Sequence, residues 1–140
     1  AMIEALVTPS QGTYPANVVS WTGKNLLILF ADAEQRWGAA LLIDGKEKLI
    51  VAKEKFSLYT PQCLAARWDG TSLQLFIDGK ATVTSSIQYE LYPAEASLCI
   101  AGVPRAMFPE SQGTRYFSGK VHAVRVAQGQ LPQPASQFSE

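Results

Sequence analysis

The chain has 140 residues and a mass of 15.2 kDa, enough for one domain that buries roughly 68% of its unfolded surface without disulfide staples. Hydrophobic residues make up 47% and charged residues 17%, which excludes a disordered chain, and the longest apolar run, residues 26–31, is too short to cross a bilayer as a helix. Twelve Lys plus Arg balance twelve Asp plus Glu, so no bulk field draws nucleic acid or anionic lipid, and a near-neutral ligand is expected.

In chain order, residues 3–8 alternate loosely and stop at Pro9, Gly12 and Pro15, which predicts a strand and a loop. Residues 18–21 predict a short strand broken at Thr22-Gly23. Residues 25–30 are apolar at successive positions, the pattern of a central strand covered on both faces. Residues 38–43 and 48–52 flank Asp44-Gly45, and residues 72–77 and 81–85 flank Asp78-Gly79; Asp-Gly between such runs predicts two hairpins. Residues 64–68, 97–101 and 117–127 complete roughly ten short strands with no sustained helical period, which predicts a two-sheet antiparallel sandwich. Residues 103–116 form the longest irregular stretch, where binding residues or a lid over the core are expected. Ala1-Met2 reads as a cloning remnant, residues 3–132 as the domain, and residues 133–140 as a terminal tail or linker. Arg36-Trp37-Gly38 leading to Asp44-Gly45-Lys46 resembles Arg67-Trp68-Asp69-Gly70 leading to Asp78-Gly79-Lys80, a similarity expected from shared turn chemistry.

Cys63 and Cys99 are compatible with a disulfide, with two buried thiols or with one of each, and buried thiols are the favoured reading because free Cys packs as a small hydrophobe. The single histidine, His122, leaves no zinc-finger spacing.

The run Leu64-Ala65-Ala66-Arg67-Trp68-Asp69-Gly70, followed by Leu73-Gln74-Leu75-Phe76-Ile77-Asp78-Gly79-Lys80, resembles the paired strands of laminin G-like and pentraxin domains of the concanavalin A-like lectin/glucanase superfamily. Residues 3–9, 97–102 and 117–126 fall in matching order. The resemblance implies a two-sheet jelly roll lacking one or two strands ahead of Ile3, whose loss leaves either a truncated domain or an exposed edge able to pair between chains. It also implies calcium ligands at Asn25 and around Glu110-Ser111-Gln112. Lys24 stands where that family has an acid, and Val103-Pro104-Arg105-Ala106 supplies no carboxylate, so no cofactor, calcium included, is expected. The half-cystine partner of Cys63 expected near Ala5 is absent.

The Glu-x-Asp-x-Glu run of the superfamily's glucanases does not occur, nor do a Gly-x-Ser-x-Gly elbow or a phosphate-binding GxxxxGK[ST] loop, so no catalysis is expected. Asp44, Glu47 and Glu54 interleave with lysines as a solvated face, and His122 reads as a structural or surface residue. Sugar recognition needs an aromatic plane beside polar groups. By analogy with the family, the site is expected where Lys24 and Asn25 meet Arg105, Glu110, Gln112 and Arg115, with Trp21 or Trp37 as platform. Tyr14, Tyr89, Tyr92 and Tyr116 are further loop aromatics, and Trp68 reads as core. Two functions are weighed. One is a carbohydrate-binding module of a larger secreted or surface protein; the other is an adhesion module that binds protein or self-associates through a sheet edge.

Overall fold

The structure, a computed structural model, describes residues 1–12, 16–22, 26–43, 46–86, 97–100, 115–117 and 119–127. Its strands are β1 (Met2–Pro9), β2 (Ala16–Thr22), β3 (Leu26–Ala31), β4 (Trp37–Ile43), β5 (Lys46–Val51), β6 (Gln62–Trp68), β7 (Ser72–Ile77), β8 (Lys80–Ser86), β9 (Ser97–Ile100), β10 (Arg115–Tyr116) and β11 (Gly119–Ala127). They form a β-sandwich. One sheet has the order β11-β1-β6-β7-β8; the other has β10-β2-β3-β4-β5, with β9 also on β2. All ladders are antiparallel except β10 on β2. Met2 lies inside β1 at 0% exposure, so the first strand starts earlier than the sequence pattern indicated.

The period of two along each strand builds the core. Ile3, Ala5 and Val7 of β1, Leu64, Ala66 and Trp68 of β6 and Leu73 and Leu75 of β7 meet Leu27, Leu29 and Ala31 of β3 and Trp37, Ala39 and Leu41 of β4. On β2 a register shift between Asn17 and Val19 makes Val18 an extra residue, which lets Ala16, Val18 and Val19 all enter this core. The successive apolar residues of β3 have the expected reason. Ile28 and Phe30 form a second buried cluster with Ala40, flanked by Leu42 and Val51, distinct from the core that holds Leu27 and Leu29. Gly38 makes room for it, because a Cβ there would stand 2.4 Å from Phe30 Cζ.

Both expected hairpins close with Ile43 opposite Lys46 and Ile77 opposite Lys80. Asp78 and Gly79 take φ values of 52° and 81°, the left-handed pair of a turn whose twist matches its strands. Asp78 also clasps the start of β6, donating its N–H to Cys63 O at 2.7 Å and accepting Cys63 N–H at 2.9 Å. The two Arg-Trp segments differ, since Trp37 opens β4 whereas Trp68 closes β6; the likeness is confined to turns.

The first strand does not lie at an edge. β1 lies between β11 and β6 and is laddered on both sides. Among the described residues that sheet ends instead at β11 and β8. Glu4 of β1 is 1% exposed and paired with Arg125, its register partner on β11, whose Nε donates to Glu4 Oε1 at 2.7 Å.

Candidate functional site

Trp37 Nε1 donates to Gln62 Oε1 at 2.8 Å, which sets the start of β4 against the start of β6 and gives the two sheets a common end. Three aromatic side chains close this end. Phe56 stacks on Trp37 with ring centroids 4.1 Å apart, and Phe117 lies tilted at 6.1 Å. Gln62 Nε2 donates to Ser57 O at 3.3 Å and Thr60 O at 3.0 Å, so the amide is fully engaged between the core and residues 57–60. Before Trp37, Asp32 accepts the backbone N–H groups of Glu34 and Arg36, both at 2.9 Å, and pairs with the Arg36 guanidinium at 2.8 Å. That polar turn returns the chain to the sheet and buries the next residue. Trp37 is 1% exposed. It is therefore a core residue and cannot be a sugar platform.

The other expected site residues divide between the two ends of β2. Ala16, at its start, is opposite Ala31 of β3, which is opposite Trp37, and Arg115 pairs with Ala16; both belong to the Trp37 end. Trp21 is opposite Leu27, and Lys24 and Asn25 follow β2 in the sequence. Trp21 is five positions from Ala16 along β2, roughly 17 Å at 3.3 Å per strand residue. Lys24, Asn25, Arg105, Glu110 and Gln112 lie outside the described residues, as do Tyr14, Tyr89 and Tyr92. Trp21, Arg115 and Tyr116 are placed by their backbone register.

β2 also carries a residue that sequence reasoning missed. β9 ladders onto Val19–Thr22 and β10 onto Ala16 and Asn17, so the edge pairing is interrupted at Val18. Asn17 sits next to it. The residue is 1% exposed, and neither Nδ2 nor Oδ1 has a hydrogen-bond partner. Arg67 Nε and Trp68 Nε1 are also buried without partners, but among the described residues only Asn17 has both its side-chain polar atoms in that state. An unpaired buried polar group costs about 1–3 kcal/mol. Asn17 is opposite Phe30 on β3 and beside the register position of Tyr116 on β10.

The described carboxylates of the strands and turns serve structural contacts. Glu4 holds Arg125, Asp32 holds Arg36, and Asp78 holds the β6 backbone. Burial of Asp69 opposes its ionisation, yet the N–H groups of Thr71 and Ser72, the Thr71 hydroxyl and the Arg67 charge outweigh it and hold the carboxyl below its usual range. His122 is exposed and shares a 2.8 Å hydrogen bond with Thr8 Oγ1 across the β1–β11 ladder. Among the described residues no three His, Cys, Asp or Glu side chains gather as a metal site; Asn25 and Glu110-Ser111-Gln112 lie outside them. Cys63 is buried at 3% exposure, as expected.

Solved structures match the whole arrangement. A heptameric SAP-like pentraxin from Limulus polyphemus superposes with a TM-score of 0.61 at 13% identity, over 89% of this chain and 61% of that one. The CBM40 module of the Ruminococcus gnavus IT-sialidase, solved bound to α2,3-sialyllactose and without it, gives TM-scores of 0.68 and 0.69, also at 13% identity, over 94% of this chain and 77% of that one. The fold is the one shared by these two structures. This chain thus spans about 61% of the length of the pentraxin and most of the sialidase module. No family model and no curated protein matches the chain. The similarity lies in the two-sheet sandwich, and among the described residues no helix is long and apolar enough to cross a membrane.

Proposed function

We propose that the chain is a non-catalytic carbohydrate-binding module of a larger extracellular or cell-surface protein. The observation that carries this reading is Asn17. Its amide offers a donor and an acceptor side by side, and a sugar hydroxyl supplies both complements at once. Arg105, Glu110 and Gln112, which precede β10 in the sequence, and Arg115 at its start are the residues proposed to read the ligand together with Asn17. Because the strand pairing stops on either side of Val18, the β2 edge parts there without breaking a continuous ladder. Trp21, Lys24 and Asn25, at the far end of β2, contact only a ligand long enough to follow the strand. Fold likeness to the sialyllactose-bound CBM40 module adds support at the level of architecture.

The test is a broad glycan array read with and without a chelator. The expected result is binding that survives the chelator and is lost in Asn17→Ala. Absence of binding by the unaltered chain to every glycan would end the reading.

A second reading, self-association, is favoured by β8. It ends its sheet among the described residues, and Lys80 is the single charged residue in its sequence KATVTSS; charges are the usual guard on such an edge. Sedimentation at rising concentration distinguishes the two, with Thr84→Lys expected to abolish any dimer.

A further inference from the structure

We infer that Tyr59 is the aromatic platform of a second carbohydrate subsite, at the end of the sandwich closed by Trp37. The inference deepens the carbohydrate-binding reading and rests on it, but it uses none of the residues assigned to the β2 edge. Tyr59 is 66% exposed, whereas Phe56 and Phe117 at the same end are 8% and 7% exposed. Its backbone stands at φ 61°, a left-handed conformation that costs an L-residue other than Gly, Asn or Asp free energy and that a glycine would adopt without strain. The ring therefore incurs two costs, exposure of an aromatic and a strained backbone, and no described ring contact inside the fold offsets them.

What surrounds Tyr59 is rigid. Its N–H donates to Pro9 O at 2.7 Å. On one side Ser57 O, and on the other Thr60 O, accept from the Gln62 amide, whose oxygen is fixed by the Trp37 indole. The turn is thus tied to β1 and to the buried aromatic stack, and the ring projects from a base that does not have to be ordered when a ligand arrives. Pre-organisation of this kind lowers the entropic cost of binding.

The setting selects the ligand class. Ser57, Thr60 and Pro61, which flank Tyr59 in the chain, and Gln11 and Gly12, which follow its backbone partner Pro9, are exposed and uncharged. A single exposed aromatic among hydroxyl and amide groups is too small a patch for a stable protein interface, which needs about 800 Å² on each partner. It fits the apolar face of one pyranose ring, with hydroxyls satisfied at its rim.

The glycans bound by the unaltered chain on the array are titrated against Tyr59→Phe, Tyr59→Ala and Tyr59→Gly, with thermal melting of each. Phe is expected to retain affinity. Ala and Gly are expected to weaken it about tenfold, and Gly is expected to melt no lower than the unaltered protein, because it relieves the backbone. Equal affinity of Tyr59→Gly and the unaltered chain, in a protein whose Asn17→Ala variant has lost binding, overturns the Tyr59 assignment and leaves the wider reading standing. An unaltered chain that binds no glycan overturns both. Loss of self-association, rather than of glycan binding, in Tyr59→Ala would show the ring to be a protein contact and likewise overturn the assignment.

Discussion

Gln62 and Asn17 are both buried side-chain amides, and they have opposite fates. Gln62 uses its oxygen on the Trp37 indole and its nitrogen on two backbone carbonyls; Asn17 uses neither atom. An amide that has found its partners within the chain is holding a core together, and removing it exposes the partners' loss. An amide without partners stabilises nothing by its polarity, so its presence calls for something from outside the chain. The difference separates a structural polar residue from a binding one where burial alone cannot.

The largest expected effect lies at the Gln62 end. Trp37→Ala removes the ring against which Phe56 and Phe117 pack and should cost about 3–5 kcal/mol in urea unfolding. A variant that unfolded at the same urea concentration as the parent would show the stack to be dispensable. Next, Gln62→Leu leaves the Trp37 N–H and two carbonyls without partners and should cost about 1–3 kcal/mol. Asn17→Leu is the mirror experiment. It replaces an unpaired amide with a similar volume of hydrocarbon, so stability is expected to hold or to rise by about 1 kcal/mol while glycan binding disappears. If both leucine variants are destabilised alike, the contrast between the two amides is lost. In the same cross-strand row as Asn17, on the far side of Phe30, Gly38→Ala should cost about 1–3 kcal/mol through its collision with the Phe30 ring.

The smallest effect is a pH dependence at the opposite end. Asp69 titrates below its ordinary value of 3.8 in the folded chain, so its ionised form stabilises the β6–β7 turn above that pH. That contribution is lost as pH falls through the folded value. Asp69→Asn keeps an acceptor oxygen for Thr71 and Ser72 but cannot titrate. Its unfolding midpoint should fall less steeply below pH 4 than the parent's, and parallel curves would assign the acid sensitivity to other groups.

Most of the fold was legible because its signals are local. Asp78-Gly79 lies between runs whose hydrophobic alternation already specifies the faces, and the turn needs only the positive φ values that these two residues tolerate. The site was less legible because its determinants are not local. Trp37 follows a charged turn, which in sequence suggests a rim position; Phe56 and Gln62, which bury it, come 19 and 25 positions later. Asn17 could be seen as an amide in a strand, but its lack of partners depends on the shift at Val18 and on where β9 and β10 stop. Tyr59 left no mark beyond a residue near Pro61, since the strain that singles it out is a backbone angle. The partner of the first strand was hidden for a similar reason, because β11 lies more than a hundred residues along the chain.

That last pairing has a consequence for how the protein is made. Met2 is matched with Ala127 and Pro9 with Gly119, so the opening strand stays half-paired during synthesis until residues 119–127 have been added. Contacts this distant in sequence slow folding. Addition of β11, rather than of any one hairpin, is then the event that seals the sandwich, and nascent chains halted before Gly119 are expected to be held by chaperones or cleaved.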